Sequence, residues 1–323
     1  MSLLSFLHDA SGPSAAVELT ATHVSGARLD WRRGQPAIAA HAVEPLAAGA
    51  LVASLTAGNI LDRPAVANAL RRVLGQIGRP GRIALIVPDL VAKVSVVKFE
   101  QVPRRAQDLE QLVRWQIRKT APFPIDEAQI TYAAGQRAAD GQEFLVSLAR
   151  RDVIEEYEQL AADSGAQAGV VDLATFNVVN AVLATQAAAL GSGDWLLVNV
   201  ASDYATLAIV RGPDIILFRS RAADTEGSLF DLVHQTTMYY EDRLEGRGFT
   251  RVILASPSTT GARGGGDVEA ARRGLQDRLA MPVDGLDLGT VVTVSDRIAG
   301  AAAVADTLAP IIGVLLRGQE SAA

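Results

Sequence analysis

Apolar residues recur along this chain with two alternating periods, and the alternation lays out the elements. "SAAVELTATHVSGARLDWR" (14–32) reads as two strands joined by a tight turn, and "QPAIAAHAVEPL" (35–46) as a third strand. Asp62 can cap a helix with Pro64 in its first turn. Val66, Leu70, Val73, Leu74 and Ile77 then recur at helical spacing, and Gly78 ends the run. "RIALIVP" (82–88) is a buried-type strand, and "AKVSVVKFEQV" (92–102) alternates like a half-buried one. A helix near 105–120 carries Leu109, Leu112, Val113 and Ile117 as its apolar stripe. Strand-like segments at 128–135 and 143–151 follow. Asp152 and Glu155 form a capping-box-like start for a helix faced by Val153, Tyr157, Leu160 and Ala161 and ended by Gly165. A strand at 168–173 and a helix at 174–190 close the first half.

The second half opens with the same shape. "DWLLVNVASDYATLAIVRGPDIILFRSRA" (194–222) is three strands with turns. A long helix then holds Leu229, Leu232, Val233, Thr236, Tyr240 and Leu244 on one face, closed by Gly246. A strand at 251–256, the glycine-rich "TTGARGGGD" (259–267), a helix at 268–280 and a final helix around 305–317 complete the chain. Two halves that each run from a β-meander into helix, strand and helix predict an internal duplication in an α/β fold.

One stretch interrupts the regular pattern. In "KTAPFPIDE" (119–127) Ala121 and Phe123 both precede prolines, which disfavours helix and predicts a stiff, extended segment. The preceding helix therefore stops near Thr120, with Arg118 and Lys119 suiting its C-terminus. Phe123 is either a core plug at a helix-to-strand corner or an anchor at a recognition surface. Trp115 lies roughly 150° from the apolar stripe at about 100° per residue, so it packs in a second layer or is exposed.

Composition narrows the classes. The chain has 323 residues, 49% hydrophobic and 20% charged, with net charge −6 and pI about 5.3. It has no basic run, which argues against a general nucleic-acid binder. Cysteine is absent, excluding disulfides and thiolate metal sites. "GAAAVADTLAPIIGVLLRG" (300–318) comes nearest to a membrane span but is broken by Asp306 and Pro310. The start, "MSLLSFLHDASG", lacks the basic region and apolar core of a signal peptide. His8, His23, His41 and His234 are scattered and show no metal-ligand spacing. No G-x-S-x-G elbow occurs, and "GARGGG" lacks the Lys-Ser/Thr of a P-loop.

In this order the segments resemble the PilM family of type IV pilus assembly. "ALRRVLGQIGRPGRIALIVPDLVAKVSVVKFEQVP" (69–103), "LVRWQIRKTAPFPIDEAQITY" (112–132), "EFLVSLARRDVIEEYEQLAADSGAQAGVVDLATFNVVNA" (143–181) and "WLLVNVASDYATLAIVRGPDIILFRS" (195–220) carry the likeness, and the helix running into a Pro-Phe-Pro corner is its most specific part. The resemblance implies a two-lobed actin-like fold, a duplicated ribonuclease H-like design. Lobe one would comprise 1–88 and 151–190, a small inserted subdomain 89–150, and lobe two 191–323. It also implies a cytoplasmic adaptor at the inner membrane. Such a protein binds the N-terminal tail of a PilN-like protein beside the inserted subdomain, and through it connects to a PilO-like protein and the pilus motor ATPases. Trp115, Pro122, Phe123 and Pro124 are the implied partner-binding residues.

Actin-like folds hold Mg-ATP between their lobes, and this sequence departs from that pattern. Glu18 stands where the family has aspartate and Thr20 where it has glycine; Asn199 and Ala201 replace the corresponding pair in the second hairpin. Asn199 offers no charge to a magnesium ion. The adenosine-contacting turn reads "LASPSTTG" (254–261) without consecutive glycines. Between Ser220 and Gly227 little remains of the accessory subdomain of lobe two. The expectation is a non-catalytic scaffold with no cofactor. The alternatives are a slow ATPase whose nucleotide state gates partner exchange, and the related GspL cytoplasmic domain of type II secretion. The latter family continues into a transmembrane helix and a periplasmic domain.

Overall fold

The structure is a computed structural model and describes residues 12–32, 35–190, 193–225, 227–256, 265–286, 288, 292–294 and 307–320. The expectations for the amino-terminal stretch and for 259–264 concern residues outside this set. The first sheet starts with an antiparallel meander of β1 (Ala15–Leu19), β2 (His23–Arg32) and β3 (Gln35–Pro45). Helix α1 (Arg63–Gln76) leads to β4 (Arg82–Val87), which lies parallel to β1. The Asp62 side chain accepts from Ala65 N at 3.0 Å, as the sequence predicts, and Gly78 closes the helix with φ +97°.

Next come β5 (Ala92–Phe99), α2 (Ala106–Arg118), β6 (Ala128–Ala138) and β7 (Gly141–Arg150). The strands form a separate three-stranded sheet in the order β5-β7-β6. Helix α3 (Arg151–Asp163) and strand β8 (Gln167–Leu173) return to the first sheet, where β8 pairs with β4. The start of α3 differs from the sequence expectation. Asp152 does not cap the helix: the cap position is Arg150, without a side-chain bond, and Asp152 instead pairs with the Arg150 guanidinium. The carboxylate still accepts from Val153 N at 2.9 Å, but from inside the first turn rather than from the cap position.

Helix α4 (Ala174–Leu190) connects to the second sheet. There β9 (Trp195–Val200), β10 (Tyr204–Arg211) and β11 (Asp214–Ala222) form a second antiparallel meander. After α5 (Leu229–Arg243), strand β12 (Arg251–Ala255) lies parallel to β9, and α6 (Gly265–Leu279) leads to β13 (Val283–Gly285) beside β12. A short β14 (Thr293–Val294) returns to β3 of the first sheet, and α7 (Ala309–Glu320) ends the described chain. The orders β14-β3-β2-β1-β4-β8 and β11-β10-β9-β12-β13 show the predicted duplication.

Strand periodicity explains how the lobes join. Ala15, Val17 and Leu19 of β1 point toward α1 and α3, in a core with Leu70, Val73, Tyr157 and Leu160. Ala16 points the other way, into a core shared with Trp195 and Leu197 of β9, Val178 and Val182 of α4, and Ile311 and Ile312 of α7. One apolar core therefore spans both lobes. At its centre α7 crosses α4 so closely that a Cβ on Gly313 would stand 1.8 Å from the Asn177 carbonyl oxygen. Only a glycine admits that approach.

Candidate functional site

The same parity fixes the interlobe cleft. Glu18 shares the face of Ala16, and Asn199 shares the face of Trp195 and Leu197, so each turns toward the opposite lobe. Both are buried. They line a cavity of about 30 Å³ with Thr20, Ala201, Val178, Tyr204, Ser256, Thr307 and Pro310. Burial, and then the charge of Asp89, pushes the Glu18 carboxyl up to about 8, against a 3.5 Å hydrogen bond from Ser25.

Asp89 is the residue that sequence reasoning missed. It sits on a 3-10 turn (Asp89–Val91) just after β4 and is fully buried. Thr175 at the start of α4 donates to it twice, from its backbone N–H at 3.0 Å and from its hydroxyl. The Thr206 hydroxyl of β10 also bonds to it, and its backbone bonds to the Tyr204 hydroxyl. Burial pushes Asp89 up to about 6, the Thr175 and Thr206 bonds opposing. Asn199 Nδ2 donates to Thr175 Oγ1 at 2.7 Å. The one available signal was a lone aspartate at the end of an otherwise apolar strand, "RIALIVPD".

A magnesium nucleotide does not fit these residues. Asn199 is committed to Thr175 and carries no charge. Several backbone amides of the two hairpin turns are bonded internally: Thr20 N donates to His23 O, His23 N and Thr22 N donate to Thr20 Oγ1, and Ala201 N donates to Tyr204 O. Tyr204, Val178 and Pro310 line the cavity and leave it only about 30 Å³. Among the described residues no group of three or more acidic or histidine side chains is placed to hold a metal.

The inserted sheet has two distinct faces. Ala128, Ile130 and Tyr132 of β6 and Phe144, Val146 and Leu148 of β7 pack under Leu109, Val113 and Ile117 of α2. Phe123 is half-buried against this cluster, so it serves as the corner plug. The corner is pinned by Lys93 Nζ on the Thr120 carbonyl at 2.7 Å and Arg114 Nη1 on the Ile125 carbonyl at 2.9 Å. Pro122 and Pro124 are exposed. Trp115 does not pack in a second layer; it is 61% exposed, with Lys119 Nζ 5.7 Å from its ring centre.

The opposite face bears two adjoining depressions. Gln129, Thr131, Ser147 and Ala149, the alternate residues of β6 and β7, face Val87, Asp172, Leu173 and Phe176 of lobe one across a cavity of about 80 Å³. Leu55, Leu90, Lys93, Val94, Phe218 and Arg219 line a wider groove of about 340 Å³. Ala92 borders both. Arg317 Nη1 lies 2.8 Å from Asp172 Oδ2 as an ion pair, although the geometry falls short of a directed hydrogen bond. The sequence-predicted residues thus fall into separate places. Glu18, Thr20, Asn199 and Ala201 meet in the cleft, while Trp115, Pro122, Phe123 and Pro124 lie on the helix side of the inserted sheet, away from the grooves.

Comparison with known proteins agrees with this architecture. A family model described as type IV pilus assembly protein PilM matches residues 16–238. A solved PilM–PilN type IV pilus biogenesis complex superposes with a TM-score of 0.80 at 16% identity, over 96% of this chain and 99% of that one. A Bacteroides thetaiotaomicron protein of unknown function with an actin-like ATPase fold matches with a TM-score of 0.53 at 9% identity, over 94% and 96% of the two chains. The fold is the two-lobed actin-like one.

Proposed function

The chain belongs to the PilM family of type IV pilus assembly proteins, and from that premise we propose that it is a non-catalytic adaptor which captures the cytoplasmic tail of a PilN-like membrane protein. The observation that carries this reading is the pair of depressions meeting at Ala92, where the inserted sheet faces lobe one and β11. Their floor is apolar, with Leu55, Leu90, Leu173, Phe176 and Phe218, and Lys93 and Arg219 stand at the rim of the wider one. An extended peptide with apolar anchors suits such a surface, and a preformed groove lowers the ordering cost of binding.

In this reading residues 1–88 and 151–190 form lobe one, 89–150 the partner-binding subdomain and 191–323 lobe two, except that β14 departs from this division and completes the sheet of lobe one. Phe123 braces the subdomain, and Trp115 with Pro122 and Pro124 offers a second contact on its outer side. The protein works at the cytoplasmic face of the inner membrane through its partner. No helix among the described residues is long and apolar enough to cross a membrane. A PilO-like protein and the motor ATPases are reached indirectly. The internally bonded turn amides, the small cleft and the uncharged Asn199 support a reading without ATP turnover.

Calorimetric titration with a synthetic tail of the PilN-like protein tests the reading. Saturable one-to-one binding, lost in Thr131→Trp, is expected. Absence of binding by the folded protein overturns it, as does micromolar Mg-ATP binding for the non-catalytic part.

A further inference from the structure

The interlobe hydrogen bonds and the groove are built on the same two short stretches of chain. Asp89 lies between Val87, which lines the smaller cavity, and Leu90 and Ala92, which line the wider groove. Thr175 lies between Leu173 and Phe176, both on the smaller cavity. Neither Asp89 nor Thr175 lines either depression. Their polar atoms point instead into the cleft between the lobes, toward Asn199, Tyr204 and Thr206 of lobe two. Phe176 also meets Phe218 of β11, its ring 5.0 Å away, so the groove wall itself crosses from one lobe to the other.

The hydrogen bonds run in one direction. Asn199 donates its amide to the Thr175 hydroxyl, and that hydroxyl donates to the Asp89 carboxyl. Thr206 donates to the same carboxyl from the second lobe. An aspartate at 199 could not make the first of these bonds at neutral pH, because an ionised carboxylate has no proton to give. Asn199 therefore does more than lack a metal ligand's charge: it completes a buried chain that ties lobe two to the helix start and the turn of lobe one. A buried chain of this kind is either made or broken, because a half-satisfied one leaves unpaired polar groups in a dry site.

We infer that Asn199, Thr175, Thr206 and Asp89 form an interlobe latch which sets the shape of the partner groove, so that closing the latch and filling the groove favour each other. This rests on the reading that the tail seats in the groove. The latch holds residues 87–92 and 172–176 where the groove needs them, so breaking it removes a preorganised wall. Coupling between two sites is reciprocal in binding free energy. An occupied groove must then hold the latch shut and steady lobe two at residues that no tail touches.

The test uses the full chain in three forms: wild type, Thr175→Val and Thr175→Ser. Valine keeps the shape and removes the hydroxyl; serine restores it. The synthetic tail should bind Thr175→Val about fivefold or more weakly than wild type, within the usual range of coupling, and Thr175→Ser should regain most of the loss. Asn199→Ala, which alters lobe two alone, should weaken binding in the same direction and serves if the valine form does not fold. Added tail should also slow amide hydrogen exchange at 204–206 of the wild type and not of Thr175→Val. Equal tail affinity in all forms overturns the latch coupling and leaves the adaptor reading standing. No binding to any form overturns that reading, and the coupling with it.

Discussion

The two lobes carry one plan with one large difference. Each has a meander, a helix, a parallel strand beside the first strand, then a helix and a further parallel strand. In lobe two β12 is followed by α6, whereas in lobe one β4 is followed by the three-stranded sheet before α3 resumes the pattern. Glu18 and Asn199 occupy matching positions, each the last but one residue of its lobe's first strand. One carries a carboxyl and the other an amide, and both face the cleft. In the proposed adaptor reading, the difference marks where function was added. The duplicated framework has turned its shared cleft into packing and hydrogen bonds, while the insertion has created a wide apolar groove against lobe one and β11.

The largest test of that contrast is at the crossing of α7 and α4. Gly313→Val should cost about 3 kcal/mol or more in denaturant unfolding, since its side chain meets the Asn177 carbonyl rather than a flexible group. A neutral outcome would mean that the lobes do not share one core. Phe123→Ala should cost less, about 2 kcal/mol, because the ring is half-buried against the inserted subdomain. The unfolding signal should come from the subdomain before the lobes.

Glu18→Gln tests the cleft through pH. With its folded value at about 8 against an ordinary 4.5, Glu18 keeps a proton in the folded protein that the unfolded chain releases. Wild-type stability should therefore fall as pH rises from about 5 to 8. Asp89, raised to about 6, adds to the lower part of that fall. Glutamine keeps the shape and the neutral state, so Glu18→Gln should flatten the upper part of the slope. A slope unchanged by the substitution would mean that Glu18 is ionised in the fold. The smallest effect is at Trp115. Trp115→Ala should change stability by less than about 0.5 kcal/mol, because most of the ring faces water.

Much of this was legible in the sequence. Strand parity and helix spacing placed the main elements of both lobes, because cores on both faces of a sheet impose regular periods. The family resemblance and the two-lobed fold were also read correctly. What could not be read depended on distant partners. The exposure of Trp115 required knowing that no described element stacks on the outer side of α2. Helix α5 starts with a Ser228–Asp231 capping box, whereas at α3 the cap position is Arg150 and Asp152 pairs with it instead. Asp89 looked like a strand-end residue; its role appears only when Thr175, 86 positions away, donates to it.

The measurement that bears most directly on the adaptor account is an amide-exchange footprint of the tail peptide on the whole chain. Protection at 87–94, 129–131, 147–149 and 172–176 is predicted, along the groove side of the inserted sheet. Protection confined to 111–124, on the side of Trp115 and the Pro-Phe-Pro corner, would contradict it and move the partner to the opposite face.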